Sequence, residues 1–149
     1  MAPIVDGKYE QKISTVYATP QEGIEEIKQK LKHGRKVRIS NIPMNLLLEL
    51  APFLVEKDLK IVLPEGEIPP VESGIVAEFA VAKAKIYVDY KGREAASGSI
   101  GFSDIVYNIA WLKESSEILD ISAMEYSKCV KCMVNETFDS AWRYSQKLQ

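Results

Sequence analysis

The stretch from Lys83 to Asp104, KAKIYVDYKGREAASGSIGFSD, constrains the fold more than any other part of the chain. Polar and apolar residues alternate with period two up to Tyr90, which is typical of a β-strand that lays one face on a core. Lys91-Gly92 indicates a tight turn, and a second strand is expected from Arg93 to Ser99, running into a small-residue loop at Gly98 to Gly101. The charged face of the first strand carries Lys83, Lys85, Tyr87 and Asp89.

Residues in and after this hairpin resemble a motif of the phospholipase D superfamily. That motif has a His, a Lys two positions on, an apolar strand, an Asp and later Gly-Ser-x-Asn; Lys85 to Asp89 and then Gly98-Ser99 are similar to its second half. Asn108 to Trp111 resembles an Asn-x-Glu-aromatic segment of that family. Phe138 and Trp142 resemble a Phe-x-x-x-Trp pair near the end of such domains, including the effector domain of TrmB-type archaeal regulators. The resemblance covers residues 79–145 and implies a phospholipase D-like α/β domain.

Departures from that motif decide what chemistry the resemblance implies. Lys83 stands where the family has its nucleophilic His, the family Asp falls near Tyr90, and Gly101 and Ala110 replace the family Asn and Glu. Phosphodiester transfer in that family needs two imidazoles, one as nucleophile and one as acid. His33 is the only histidine in the chain. The resemblance therefore implies a degenerate site with no catalytic residue.

A candidate ligand-binding site remains at the hairpin. Two lysines beside hydroxyl groups and the backbone N–H groups of a Gly-rich turn are able to hold an anion. A solvated strand face explains the same lysines equally well, and both interpretations stay open. No Walker-type loop or dinucleotide fingerprint is present, so no cofactor is predicted. The candidate ligand-binding residues are Lys83, Lys85, Asp89, Ser97 and Ser99.

A single C-x-x-C, formed by Cys129 and Cys132, is the second feature with chemical potential. Structural zinc needs four ligands, and the chain has no second cysteine pair, so two subunits would have to share one ion. A redox pair is expected at the start of a helix early in a βαβ unit, which this late position does not match. We favour structural thiols, then zinc shared between subunits, then redox catalysis.

The rest of the chain is typical of one mixed α/β domain. A chain of 149 residues suits one domain, a mixed β-sheet flanked by helices, with residues 1–7 as a flexible lead-in. Thr19-Pro20-Gln21-Glu22 predicts the start of a helix that runs to His33, with Gly34 at its C-terminal cap. Strands are expected at residues 36–40, 59–63 and 118–121, with a helix split by Pro52 between the first two. Residues 104–112 fit either a helix or a strand, and a final helix is expected from Asn135 through Leu148.

Charge and hydropathy limit the classes of function. A net charge of −2 argues against a broad nucleic-acid surface, so no direct nucleic-acid binding is expected. No apolar run approaches 18 residues, so we expect no membrane span and a cytoplasmic protein. The resulting hypothesis is a non-catalytic ligand-binding or regulatory module for a small anionic metabolite or a partner protein, with a homodimer as one arrangement. The alternatives are an enzyme that uses Lys83, Lys85 and Asp89, and a zinc- or thiol-dependent interaction protein built on Cys129 and Cys132.

Overall fold

A computed structural model describes residues 12–82, 87–126 and 138–148. The expected lead-in at residues 1–7 and the cysteines Cys129 and Cys132 lie outside these ranges. Residues 138–143 are helical, and short 3-10 helices span Ala51–Phe53 and Val71–Ser73. The other elements in chain order are β1 (Lys12–Val16), α1 (Pro20–Leu31), β2 (Lys36–Ser40), α2 (Met44–Leu50), β3 (Asp58–Leu63), β4 (Glu78–Val81), β5 (Tyr87–Tyr90), β6 (Arg93–Gly101), β7 (Ile105–Leu112), β8 (Ile118–Tyr126) and β9 (Gln146–Lys147).

The described strands form one nine-stranded mixed sheet. Its order is β1-β8-β7-β6-β2-β3-β4-β9, and β5 pairs with the first half of β6. Strands β2, β3 and β4 are parallel to one another, and the remaining pairs are antiparallel. This arrangement confirms the predicted mixed α/β sheet. None of the described helices is long and apolar enough to cross a membrane.

Helix α1 begins where the capping signal predicted. The Thr19 hydroxyl accepts a hydrogen bond of 3.2 Å from the backbone N–H of Glu22, which satisfies one of the free donors of the first turn. The apolar stripe of the helix is buried against the sheet through Ile24, Ile27 and Leu31. Burial of one stripe and exposure of the other fixes which side of α1 meets the core.

Gly34 takes part in the end of α1 through its backbone N–H, which donates to the carbonyl oxygen of Lys30 at 3.0 Å. Its backbone is not left-handed, since the glycines with positive φ in the described chain are Gly66, Gly74 and Gly92. A Cβ at Gly34 would lie 2.7 Å from Cδ1 of the Phe102 ring. The position therefore needs a glycine because an aromatic ring packs directly on its backbone.

The predicted β-α-β unit is confirmed at residues 36–63. Strands β2 and β3 are parallel, with Val37 opposite Leu59, and α2 lies between them in the chain. The α-helix ends at Leu50 and continues as a 3-10 turn that contains Pro52, because proline cannot donate to a preceding carbonyl. The buried residues of α2 are Leu46, Leu47 and Leu50.

One segment near the hairpin differs from the expected structure, and another decides between the two structures that the sequence allowed. Gly98 to Gly101 is not a loop, because these residues continue β6 and pair with β7, and the last three also pair with β2. Residues 105–112 form strand β7, in which Ile105, Tyr107 and Ile109 are buried while Asn108 is exposed. Alternation with period two is the signature of a strand with one buried face, so the open choice between helix and strand is resolved in favour of a strand.

The C-terminal helix is shorter than predicted. Its described part ends at residue 143, and β9 then pairs antiparallel with β4. The backbone N–H of Leu148 donates to the carbonyl oxygen of Phe79 at 2.9 Å. Phe138 and Trp142 stack with ring centroids 5.9 Å apart, and Phe138 packs with Val62 and Ala80. The aromatic pair thus has a packing role, while edge pairing replaces the last helical turn.

The two faces of the sheet are covered differently. Helices α1 and α2 pack on one face and form the main core with residues such as Ile39, Ile100 and Tyr107. Helical residues 138–143 cover the opposite face over β3 and β4, where Val62 and Ala80 are buried. Over β6, β7 and β8 this second face keeps side chains that are exposed or half-exposed to solvent, including Ser97, Asn108 and Ser122.

Candidate functional site

The predicted ligand-binding residues fall in three parts of the structure. Lys83 and Lys85 lie outside the described residues, so their contribution remains a sequence-based prediction. Asp89 lies in β5, where its backbone pairs with Glu94. Ser97 and Ser99 lie in β6, the first exposed and the second half-buried. The structure thus brings Ser97 and Ser99 together on one strand.

A row of polar residues crosses the sheet at Ser99. Ser40 of β2 pairs with Ser99, Ser99 pairs with Asn108 of β7, and Asn108 pairs with Ser122 of β8. Residues directly opposite one another in an antiparallel ladder share a face, so these four side chains form a continuous line, here called the polar row. Their neighbours Ile39, Ile100 and Tyr107 belong to the main core, so alternation puts the polar row on the face away from α1 and α2.

Hydrogen-bonding groups of the polar row are available to a ligand. Asn108 is exposed, and Ser40, Ser99 and Ser122 are half-exposed. Within the described part of the chain, their side chains form no hydrogen bond to another residue. Hydroxyl and amide groups in this state can donate to an oxyanion or accept from a hydroxyl-rich ligand.

Asn41 anchors the end of β2 to the backbone of β6 at Ser97. Its backbone is left-handed, with φ 53°, and its side-chain Nδ2 donates to the carbonyl oxygen of Ser97 at 3.0 Å. Its own carbonyl oxygen accepts a hydrogen bond of 2.9 Å from Nε1 of Trp111. Gly98 alternates with Ser97 and Ser99, so a Cβ there would point to the core face, where it would be 2.2 Å from the Asn41 carbonyl oxygen. These contacts fix the end of β2 against the middle of β6 and the end of β7.

The register of the hairpin separates Asp89 from the serines. Asp89 pairs with Glu94, and the last described pair of β5 joins Tyr87 to Ala96, one residue short of Ser97. Ser97 and Ser99 pair on their other side with Ala110 and Asn108 of β7. The described backbone therefore places the two serines next to β7 residues and does not put Asp89 in register with either serine.

His33 lies on the other side of the sheet. It follows the end of α1 and lines a cavity with Tyr107 and Ala123, which are buried on the α1 side. Ser97 and Ser99 belong to the opposite face by strand alternation. Within one chain the sole imidazole and the two serines are therefore separated by the sheet itself.

Two cations on the polar-row face are already paired. Arg38 lies 3.3 Å from Asp58, and the Nζ of Lys60 lies 3.7 Å from Glu78 and 5.3 Å from the centre of the Trp142 ring. Pairing lowers the positive potential that these cations offer to an anion. Charge attraction at this face would therefore depend on other cations, of which Lys83 and Lys85 are the ones predicted from the sequence.

Sequence reasoning missed four members of this site: Ser40, Asn41, Asn108 and Ser122. The alternation of residues 105–112 contained a signal for Asn108, because reading that segment as a strand places it on a polar face. The other three carry no such signal. Their proximity to Ser99 comes from strand pairing between segments that are far apart in the chain.

The fold has counterparts of known structure. The chain superimposes on TrmBL2, described as an archaeal chromatin protein with a novel mode of DNA binding, with a TM-score of 0.55 and 10% identity over 90% of this chain. It spans 54% of the length of TrmBL2. It also superimposes on Nuc from Salmonella typhimurium, a phospholipase D family member, with a TM-score of 0.54 and 15% identity over 93% of this chain and 99% of Nuc. No family model matches the chain. No curated protein matches it.

These likenesses confirm the predicted phospholipase D-like fold and its similarity to TrmB-type proteins. They also correct the expectation that direct nucleic-acid binding is excluded, because a DNA-binding chromatin protein has this fold over 90% of the chain. The physical error lies in the use of net charge. A value of −2 sums all 149 residues, whereas contact with phosphates depends on local groups on one surface.

Proposed function

We propose that this chain is a non-catalytic regulatory module that binds a small anionic ligand at the polar row, next to Ser97. The observation that carries the proposal is the separation of the motif strand from the sole histidine. Ser97 and Ser99 lie on the face away from α1, and His33 lines a cavity on the α1 side. A site without an imidazole retains groups that bind a phosphate or carboxylate but lacks the nucleophile for phosphodiester transfer.

The polar row suits recognition of an oxyanion. Serine hydroxyls and the Asn108 amide each provide a hydrogen-bond donor, and the described chain leaves these donors without a partner. Hydrogen bonds to a charged acceptor are stronger than those between neutral groups, so a few donors on a rigid sheet give useful affinity. The bonds of Asn41 to Ser97 and Trp111 hold the donors in place before a ligand arrives.

A titration with inorganic pyrophosphate, followed by amide chemical shifts, tests this function. We expect shifts centred on the polar row and an affinity that falls as salt rises, since exposed charges are screened over about 8–10 Å at physiological ionic strength. Ser97→Ala plus Ser99→Ala should weaken binding by about tenfold, which corresponds to ~1.4 kcal/mol. Lys83→Met plus Lys85→Met should weaken it further if those lysines supply the charge. Bis(p-nitrophenyl) phosphate should not be hydrolysed.

Ser14→Ala is the matched control for the serine variant. Ser14 is exposed and pairs with Met124, on the same face but three strands from β6, about 14 Å away at the usual strand spacing. Unchanged affinity is expected for this variant. Equal affinity in the Ser97/Ser99 double variant and the Ser14 variant would remove the polar row from the function, and turnover of the phosphodiester would overturn the non-catalytic assignment.

Association with DNA is a second candidate function, favoured by the likeness to TrmBL2. That protein binds DNA, and its fold matches 90% of this chain although this chain spans 54% of its length. Fluorescence anisotropy with a labelled duplex at low and high salt tests the idea. Binding whose affinity falls steeply with salt supports DNA association, because released counterions dominate such binding. No binding at low salt would restrict the proposal to the small anion.

A further inference from the structure

A separate cavity of about 330 Å³ opens between α1 and strands β1, β7 and β8. It lies on the α1 side of the sheet, so it shares no residue with the polar row. Its floor is buried, and its rim comes from α1 and from the sheet edge. The residues that line it are Thr15, Tyr17, Glu26, Gln29, Lys30, His33, Ile105, Tyr107, Ala123 and Glu125.

The floor of this cavity carries a hydroxyl group without a protein partner. Tyr107 is only 3% exposed, yet its hydroxyl forms no hydrogen bond with any residue of the described chain. No fully enclosed side-chain oxygen or nitrogen of the described residues lacks a partner. The Tyr107 oxygen must therefore reach the open space of the cavity. A buried hydroxyl that faces a cavity needs water or a ligand as its partner, because leaving it unpaired costs free energy.

The charge around the cavity is negative. Glu26 and Glu125 are both exposed at the rim and form no ion pair within the described residues. Burial, followed by the negative charge of groups that include these two carboxylates, raises the pKa of both Tyr17 and Tyr107. The two carboxylates and the two phenols line the same cavity.

The lysine of the rim is already engaged. The Nζ of Lys30 lies 2.7 Å from Oδ2 of Asp104 and 5.8 Å from the centre of the Phe102 ring. This ion pair takes up the positive charge of Lys30. Glu26 and Glu125 therefore stay available to balance the charge of a ligand, and an anion would meet two carboxylates at the entrance.

We propose that this cavity binds a small organic cation with a primary ammonium group, held between Glu26 and Glu125 with a hydrogen bond to the Tyr107 hydroxyl. A volume of about 330 Å³ is at the small end of ligand sites, so the ligand is a short aliphatic amine and not a nucleotide. A bare metal ion fits less well, because the described residues contain no cluster of three or more carboxylate, imidazole or thiolate groups.

Putrescine is the probe, and 1,4-butanediol is its neutral counterpart of the same length. Calorimetry at low salt should show binding of putrescine and none of butanediol. Replacing both rim carboxylates, as Glu26→Gln plus Glu125→Gln, should weaken the binding of putrescine by about tenfold or more, since a pair of attractive charges is lost. Tyr107→Phe should weaken it by about fivefold, in line with loss of one hydrogen bond.

Glu72→Gln is the matched control, because Glu72 is exposed in the 3-10 helix Val71–Ser73, beside the far part of the sheet, and does not line the cavity. Its affinity for putrescine should stay within about twofold of the parent, since removing a remote exposed charge has little effect. Both rim carboxylates are exposed, so their replacement leaves the fold intact and circular dichroism verifies this. Equal binding of butanediol, unchanged affinity in the double variant, or no binding of putrescine would each overturn the proposal. Pyrophosphate should not compete, which separates this site from the polar row on the other face.

Discussion

The indole Nε1 of Trp111 donates a hydrogen bond of 2.9 Å to the backbone carbonyl oxygen of Asn41. Trp111 is in β7 and Asn41 follows β2, with β6 between these two strands in the sheet. Trp111 is 5% exposed, so this bond is shielded from water. It links the left-handed residue that ends β2 to the strand beyond β6, on the face of the sheet that packs on α1 and α2.

Trp111→Phe should destabilise the fold by about 1–3 kcal/mol, because the Asn41 carbonyl would lose a buried donor that phenylalanine cannot replace. Urea denaturation measures the change in the free energy of unfolding. Trp142→Phe is the comparison, since Trp142 is half-exposed and stacks on Phe138. A cost for Trp111→Phe no greater than that for Trp142→Phe would mean that the indole bond has little effect on stability.

Gly98→Ala should cost about 3 kcal/mol or more, as expected when overpacking meets atoms that cannot move aside. A Cβ at this position would lie 2.2 Å from the Asn41 carbonyl oxygen and 2.9 Å from that of Ser40, both in the backbone. Gly74→Ala separates this clash from backbone strain. Gly74 has φ 80° and nothing within 4 Å of its Cβ position, so only the left-handed cost of about 1–2 kcal/mol applies. Equal losses of stability in Gly98→Ala and Gly74→Ala, measured by thermal melts, would rule out the clash at Gly98.

Gly98 shows a limit of predicting structure from the sequence, in contrast to helix α1 and the β-α-β unit. A glycine beside serines is typical of a loop. Position 98 instead requires glycine because the backbone carbonyl group of Asn41, from a distant segment of the chain, packs against it. Helix α1 and the β-α-β unit were predicted correctly because a capping residue, a proline and apolar periodicity are local signals. The turn at Lys91-Gly92 was predicted for the same reason, and both residues have positive φ.

The polar row and the Tyr107 cavity were not predicted because each needs several strand pairings at once. Asn108 reaches Ser99 and Ser122 only after β6, β7 and β8 are in register. Tyr107 meets α1 through the alternate face of the same strand. A one-residue shift of β7 would exchange the two faces, so neither site is specified until the register is known.

The contact between Gly23 and Ile121 predicts that substitutions in α1 and β8 have coupled effects on stability. A Cβ at Gly23 would lie 2.7 Å from the Cβ of Ile121, which is fully buried. Gly23→Ala should therefore destabilise by about 1–3 kcal/mol although alanine is the better helix former. The Ile121→Ala background removes Cγ2 and Cδ1, at 2.8 and 3.1 Å, but keeps the Cβ, so there the same change should cost less than in the parent by about 0.5 kcal/mol or more.

Double-mutant cycles by urea denaturation measure this coupling. Ile61→Ala is the control background, because Ile61 is equally buried but lies in β3, away from β8 in the sheet. There the cost of Gly23→Ala should match the parent within about 0.5 kcal/mol, as expected for independent sites. Equal costs in all three backgrounds would show that α1 does not rest on Ile121.

Alkaline pH should destabilise the fold through Tyr107. Burial is the main reason that the pKa of this phenol is raised, and the negative charges of Tyr17, Glu26, Glu125 and Asp104 add to it. The unfolded chain loses this proton near its ordinary pKa of about 10. Because the folded state holds the proton more tightly, the stabilisation is fully present below about pH 10 and is lost as the pH rises above that value.

Melting temperatures measured from about pH 8 to pH 11 should therefore fall at the alkaline end, and Tyr107→Phe should make that fall smaller because phenylalanine has no proton to lose. The variant should lose little stability near neutral pH, since the Tyr107 hydroxyl has no protein partner in the described chain. Tyr144→Phe is the control, because Tyr144 is 68% exposed and should leave the pH profile unchanged. Identical alkaline profiles for the parent and for Tyr107→Phe would contradict a buried phenol at this position and would place the lost protons elsewhere.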